Sequence, residues 1–233
     1  MTAPPPDFAL CMHCFEISGI PLQIYDECHS FAAGIVAEEL SNDDYAIGTL
    51  RLQHGDCVVD IGGHIGMFSV FLAKRFPGIR IYAYEPHPCN QELFRSNVQI
   101  NGATGIRLYP EAVTGCGRTL ELAGNPLNSG GYTAHSTTQN HRRASSIVSL
   151  TLDQIFERHG IERCVLLKID CEGTEYEILQ KTTVWPRIDH LRGEFHMNTL
   201  LRNQGYSMQS LRDYCVQRIL SKSVVVKFCR MSE

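Results

Sequence analysis

Cys57-Val58-Val59-Asp60-Ile61-Gly62-Gly63-His64-Ile65-Gly66 is the stretch that decides the fold. Its first five residues make an apolar run of the length of a buried strand, and the run passes directly into glycine. Over residues 64–76, Ile65, Phe68, Phe71, Leu72 and Phe76 recur at helical spacing until Pro77-Gly78 stops the helix. Arg80-Ile81-Tyr82-Ala83-Tyr84 is strand-like again and ends at Glu85-Pro86. Strand, glycine turn, helix and strand in that order are the mark of a parallel α/β unit.

The same alternation continues outward from that unit. A helix over about 88–100 leads to a strand at Ile106-Arg107-Leu108-Tyr109. Residues 115–146, rich in Gly, Ser, Thr and Asn, read as an excursion of strand and loop. Thr151-Leu152-Asp153-Gln154 has the spacing of a capping box and opens a helix that ends near Gly160. Cys164 to Ile169 is a further buried strand, with a helix from about Thr174 to Lys181 and later strands at 188–195 and 222–229. Upstream, two apolar runs between Phe15 and Tyr25 flank Ser18-Gly19 and predict a hairpin, and Phe31, Ile35, Val36 and Leu40 predict a helix within 30–48 that ends near Ser41-Asn42-Asp43. The expectation is an α/β fold with a seven-stranded, mostly parallel sheet and helices on both faces. Residues 1–50 form an N-terminal extension of hairpin and helix, and 51–233 form the domain that holds the site.

Composition narrows the setting. A hydrophobic content of 43% and a charged content of 20% suit a globular protein, and no apolar run is long enough to span a bilayer. A net charge of −4 with scattered Lys and Arg argues against a nucleic-acid partner. The ten cysteines lie in apolar strands as often as in loops, as free thiols do in a reducing compartment, and the N-terminus shows no secretory leader. Both features point to the cytoplasm. Cys11-Met12-His13-Cys14 with Cys28-His29 lacks the two spaced ligand pairs of a structural zinc site, so these too are read as thiols. A homodimer contact through 115–146 or the last strand is left open.

In open α/β sheets the ligand lies at the carboxyl ends of the strands. Gly62, Gly63 and Gly66 let the backbone turn and approach it closely, but His64 takes the middle glycine position of a dinucleotide fingerprint. A cofactor without a pyrophosphate fits better. In S-adenosylmethionine (SAM), the ammonium would be met by Asp60, directly or through water. The two ribose hydroxyls would be met by Glu85 at the end of the second strand, beside Pro86. Glu111-Ala112, after the third strand, lies where the adenine would fall.

Four further strings agree with this order. They are Tyr84-Glu85-Pro86-His87-Pro88-Cys89-Asn90 with Asn97, Leu150-Thr151-Leu152-Asp153, Leu167-Lys168-Ile169-Asp170-Cys171-Glu172-Gly173-Thr174-Glu175, and Arg192-Gly193-Glu194-Phe195-His196. Together with Asp60-Ile61-Gly62-Gly63-His64-Ile65-Gly66-Met67-Phe68-Ser69 they resemble the motifs of the FkbM family of methyltransferases. The resemblance covers about residues 55–200. The Lys-Ile-Asp-x-Glu-Gly-x-Glu string is its most specific part, whereas the glycine motif is common to many SAM enzymes. The family usually has Ala-Asn where this chain has Gly63-His64. The resemblance implies a class I Rossmann-like fold, SAM as cofactor, and O-methylation of a sugar, polyketide or peptide-derived small molecule. Transfer to nitrogen and a non-catalytic SAM- or nucleoside-binding module are the alternatives.

Methyl transfer to a hydroxyl needs an aligned acceptor and a route for its proton. Asp170 ends the fourth strand, Glu172 follows on the loop, and Glu194 and His196 share one face of the next strand. The expected arrangement has His196 or Asp170 as general base with Glu194 orienting its partner; Asp170 also faces the cofactor. Two carboxylates and an imidazole also suit a divalent cation, but spacing alone does not supply the geometry, and the base reading is preferred. Lys168 is expected to pair with an acid, Glu175 to decorate a helix start, Trp185 to lie in the core, and His135 to be a solvated loop residue. The helix within 30–48 is expected to pack on the sheet rather than to act as a lid.

Overall fold

The structure, a computed structural model, describes residues 9–121, 123–124, 142–143, 146–219 and 223–231. The chain opens with an antiparallel hairpin, β1 (Leu10–Ile17) and β2 (Ile20–Glu27), followed by α1 (Ala32–Ser41). The alternating part comprises β3 (Cys57–Ile61), α2 (Met67–Arg75), β4 (Arg80–Tyr84), α3 (Pro88–Ile100) and β5 (Ile106–Tyr109). Two-residue strands follow, β6 (Ala112–Val113), β7 (Ala123–Gly124), β8 (Arg142–Arg143) and β9 (Ser149–Leu150), then α4 (Leu152–Arg158). The chain completes the sheet with β10 (Cys164–Ile169), α5 (Glu175–Lys181), β11 (Ile188–Met197), α6 (Thr199–Asn203), α7 (Met208–Arg218) and β12 (Ser223–Arg230).

Six strands form the central sheet in the order β12-β11-β10-β3-β4-β5, and every pairing in it is parallel. The order reverses between β3 and β10, which is where a doubly wound sheet opens a crevice at its carboxyl edge. The expected seventh strand is not there among the described residues. β6 pairs with β9 and β7 with β8 in small sheets of their own, because this Gly- and Ser-rich stretch has no apolar run to bury between two helical layers. Most of the 115–146 excursion, including His135, lies outside the described residues.

Alternation along the strands sorts the core into two faces. Cys57, Val59 and Ile61 of β3 pack with Ile155, Leu179 and Leu211 of α4, α5 and α7. Val58 packs on the other face with Val70 and Phe94 of α2 and α3, and with Leu22 and Ile24 of the hairpin. Trp185 lies in the first of these cores. The Thr151 capping box forms as its spacing predicts, with Thr151 and Gln154 exchanging side-chain-to-backbone hydrogen bonds.

Local backbone chemistry explains where the boundaries differ from the sequence reading. α2 begins at Met67 rather than 64, because His64 and Gly66 are left-handed at φ 49° and 83°. A histidine tolerates that region better than a branched residue does. α1, by contrast, ends at Ser41 as expected, and Asp43 and Ala46 then turn left-handed. The hairpin turns on Ser18 and Gly19, both at positive φ, the geometry that matches strand twist. Its open end is closed by a Cys11–Cys28 disulfide, so the reading of these two as thiols is corrected. Cys28 lies just past the Leu10–Glu27 pair and bonds diagonally to Cys11, a proximity that spacing along the chain does not reveal.

The hairpin is tied to α3 by asparagine amides acting as a surrogate strand. Asn97 accepts from Tyr25 N–H at 2.7 Å and donates to Tyr25 C=O at 3.0 Å and to Ile65 C=O at 2.9 Å. Asn101 does the same for Gln23. No described helix is long and apolar enough to cross a membrane.

Gly62 has φ 76°, and a Cβ there would stand 1.7 Å from the carbonyl oxygen of Asp170. Gly62→Ala should therefore lower the unfolding free energy by roughly 3 kcal/mol or more, as strained backbone and overpacking combine. Urea unfolding followed by circular dichroism checks this; a loss below about 1 kcal/mol would contradict the close approach.

Candidate active site

Parallel pairing sets Lys168 of β10 directly beside Asp60 of β3. Both are buried, at 4% and 0% exposure. The Lys168 ammonium lies 3.3 Å from Asp60 Oδ1 and 3.5 Å from Asp170 Oδ2, and it donates to the Gly62 carbonyl at 2.7 Å. Asp60 Oδ2 accepts from Ser69 of α2 at 2.7 Å. Burial works against the Lys168 charge, but Asp60 and Asp170 more than offset it and hold its pKa above the ordinary lysine value.

Above this pair runs a crevice over the carboxyl ends of β3, β4 and β10. One wall carries Glu85 with Ala112, Val113 and Leu120. Glu85 is pinned by the backbone on either side of it: His64 N–H donates to Oε2 and His87 N–H to Oε1, both at 2.8 Å. Asn90 Nδ2 adds a longer contact to Oε1 at 3.3 Å. Burial pushes the Glu85 carboxyl up to about 7, although these donors pull it down. Burial also pushes His64 down to about 4, against the pull of Asp26, so its imidazole is neutral at pH 7.

The opposite end of the crevice is acidic. Asp170, Glu172, Glu194 and Glu39 line it, with the apolar residues Ile35, Val36 and Phe68 above them. Tyr45 O–H lies 3.0 Å from Glu194 Oε1 and 3.2 Å from Glu39 Oε2, so one proton serves two carboxylates. Burial raises Glu39 to about 7, while Lys227 of β12, 2.6 Å from it, works the other way. Cys229 S–H donates to Glu194 Oε2 at 2.8 Å. His196 is held from behind: Nδ1 meets Glu175 Oε1 at 2.9 Å, while Nε2 faces Glu194, Glu172 and Asp170 at 3.6, 3.8 and 3.9 Å.

Of the residues singled out by sequence, Gly62, Gly63, His64, Glu85, Pro86, Ala112, Asp170 and Glu194 line the crevice. Asp60 lies one layer beneath it, because its carboxylate is taken up by Lys168 and Ser69. Gly66 packs under Phe94 at the start of α2. Glu111 is drawn away by Arg158, 2.6 Å from its Oε1. His196 stands behind the wall, 5% exposed.

Three contributors escape the sequence reading. α1 both packs, through Ala33, Ala37 and Leu40, and lines the crevice, through Ala32, Ile35, Val36 and Glu39. Tyr45 carries no local signal at all. Glu175 does start a helix, where it accepts from Cys171 N–H and Gly173 N–H, but it also orients His196. The crowding of Glu172 and Glu175 around one glycine was the available hint.

A family model described as "Methyltransferase FkbM domain" matches residues 60–214. The chain is 30% identical over 204 residues to 31-O-demethyl-FK506 methyltransferase FkbM of Streptomyces tacrolimicus, covering 70% of this chain and 77% of that one. It is 28% identical over 182 residues to Methyltransferase 1 of Beauveria bassiana (strain ARSEF 2860), covering 65% and 72%. To Methyltransferase sdnD of Sordaria araneosa it is 24% identical over 166 residues, covering 59% and 64%. Among solved structures, Methyltransferase FkbM from Methylobacillus flagellatus KT aligns with a TM-score of 0.40 at 18% identity, over 61% of this chain and 32% of that one. This chain thus spans about a third of that protein.

Replacing Lys168 with Met would leave Asp60 charged and unpaired in the core, which should cost roughly 3–5 kcal/mol in urea unfolding. The double variant Asp60→Asn/Lys168→Met should recover a large part of that loss. Equal stability of Lys168→Met and wild type would show that the pair does not hold the turn.

Proposed function

The chain belongs to the FkbM methyltransferase family, and on that premise we propose that it transfers the methyl group of SAM to a hydroxyl of a small-molecule acceptor. The observation that carries this reading is one crevice with two differently built ends, Glu85 and apolar wall on one side and an acidic cluster on the other.

The residues present fit SAM. Glu85 is a buried carboxylate whose Oε2 accepts from His64 N–H, and a carboxylate oxygen can take a ribose hydroxyl as a further donor. Ala112, Val113 and Leu120 offer an apolar bed for the adenine. The glycine turn brings backbone to the crevice floor without side chains in the way. When bound, SAM supplies a methyl carbon whose bond to sulfur breaks, with the pair returning to sulfur, as the acceptor oxygen bonds to it.

The chain's own residues do the rest. Asp60 acts from below: through Lys168 it sets the Gly62 carbonyl and the shape of the turn. Of Asp170 and Glu194, one carboxylate takes up the hydroxyl proton, and His196, anchored by Glu175, positions them. Ile35, Val36 and Phe68 cover the acceptor end, which suits an acceptor with an apolar body and excludes water. The N-terminal segment, residues 1–50, serves as an extension whose α1 and Tyr45 complete that end. A relative named for 31-O-demethyl-FK506, an acceptor described by a demethylated oxygen, supports oxygen over nitrogen as the methylated atom.

Titration calorimetry with S-adenosylhomocysteine tests the reading. Folded wild type should bind with micromolar affinity, and Glu85→Gln should weaken it. Because burial holds Glu85 near 7, protonation removes an acceptor as pH falls through that value. Affinity should drop about tenfold from pH 8 to pH 6 and be flat in Glu85→Gln. Failure of the folded wild type to bind at pH 8 would overturn the assignment.

A further inference from the structure

We propose that Asp170 Oδ1, Glu172 Oε1 and His196 Nε2 form a binding site for one divalent cation at the acceptor end of the crevice, with Glu194 beside it. These three ligand atoms come from the end of β10, the loop after it and the end of β11, and all lie within 4.8 Å of one another.

The orientation of His196 points to a cation. Glu175 is buried, and its Oε1 faces Nδ1 of the ring at 2.9 Å, which places an N–H on Nδ1 and leaves Nε2 as the nitrogen a cation would meet. Nε2 lies in a side chain only 6% exposed and is aimed at carboxylate oxygens of Glu194, Glu172 and Asp170, so a cation binding there would take the place of its proton. Those oxygens stand 3.6–3.9 Å away, too far for a hydrogen bond to a proton on Nε2. The spacing does suit a shared ion: ligands about 2.1–2.2 Å from a metal and about 110–130° apart lie about 3.5–3.9 Å from each other.

Lys168 approaches Asp170 through the other oxygen, Oδ2, and Lys227 lies against Glu39 and Asp44. A second grouping, Glu194, His196 and Cys229, is less suited, because Cys229 S–H already donates to Glu194 Oε2. Two carboxylates neutralise a divalent charge, and one imidazole among oxygens suits Mn(II), Fe(II) or Zn(II). Asp170 and Glu172 are 28% and 22% exposed toward the crevice, so the ion keeps open positions. An acceptor hydroxyl oxygen taking one of them would lose its proton more readily, and Glu194 is placed to receive it. That role rests on the methyl-transfer reading; the site itself does not.

The test uses the full chain, stripped with chelator and titrated with MnCl2 by calorimetry and electron paramagnetic resonance. One Mn(II) per chain is expected, with nitrogen hyperfine coupling from a single imidazole in pulsed spectra. Glu172→Gln and Asp170→Asn, checked for folding by circular dichroism, should each weaken binding by about tenfold or more. Absence of saturable binding, or bound Mn(II) without nitrogen coupling, overturns the site using wild type alone. Unchanged affinity in both folded variants also overturns it. S-adenosylhomocysteine is titrated into the metal-free protein in parallel: its binding there without Mn(II) binding removes the metal site alone, whereas Mn(II) binding without it removes the methyl-transfer reading alone.

Discussion

Everything at the crevice rests on an ammonium placed where water cannot reach it. Burying Lys168 costs several kcal/mol, and the cost is offset only because Asp60, Asp170 and the Gly62 carbonyl close around it. That arrangement ties together two adjacent strands and the turn between β3 and α2. The turn in turn presents His64 N–H to Glu85, and Asn97 clamps the same loop at Ile65 C=O. The ion pair is therefore a geometric device: it sets where the glycine backbone lies relative to both ends of the site.

The two ends are then built by different means. Glu85 is fixed by backbone donors close to it in sequence or in the adjoining strand, so its position follows from the sheet. The acidic end is assembled from distant parts. Tyr45 reaches Glu194 across 149 residues of sequence, and Lys227 reaches Glu39 across 188. A segment near the start of the chain and the last strand thus meet over β11.

Charge is concentrated there with purpose. Four carboxylates, from Asp170, Glu172, Glu175 and Glu194, surround one imidazole, and Tyr45 shares a single proton between Glu194 and a fifth, Glu39. Packing alone would not favour so many acids with little water, since each like-charge neighbour raises the cost of ionising the next. A site that handles a proton or holds a cation accounts for it.

What the sequence by itself determined was local in origin. The run from Cys57 to Gly66 reads as strand and turn because its periodicity and glycines act within a few residues. The same holds for the Thr151 cap and for Glu85 and Asp170, which sit at strand ends. The tertiary structure decided the rest. Among the described residues it set a central sheet of six strands rather than seven. It buried Asp60 beneath the crevice, turned Glu111 toward Arg158, joined Cys11 to Cys28, and brought Tyr45, Glu175 and Cys229 to the acidic end. These outcomes depend on which surfaces meet once both faces of the sheet are covered, and no spacing along the chain encodes which distant side chains then share a few ångströms.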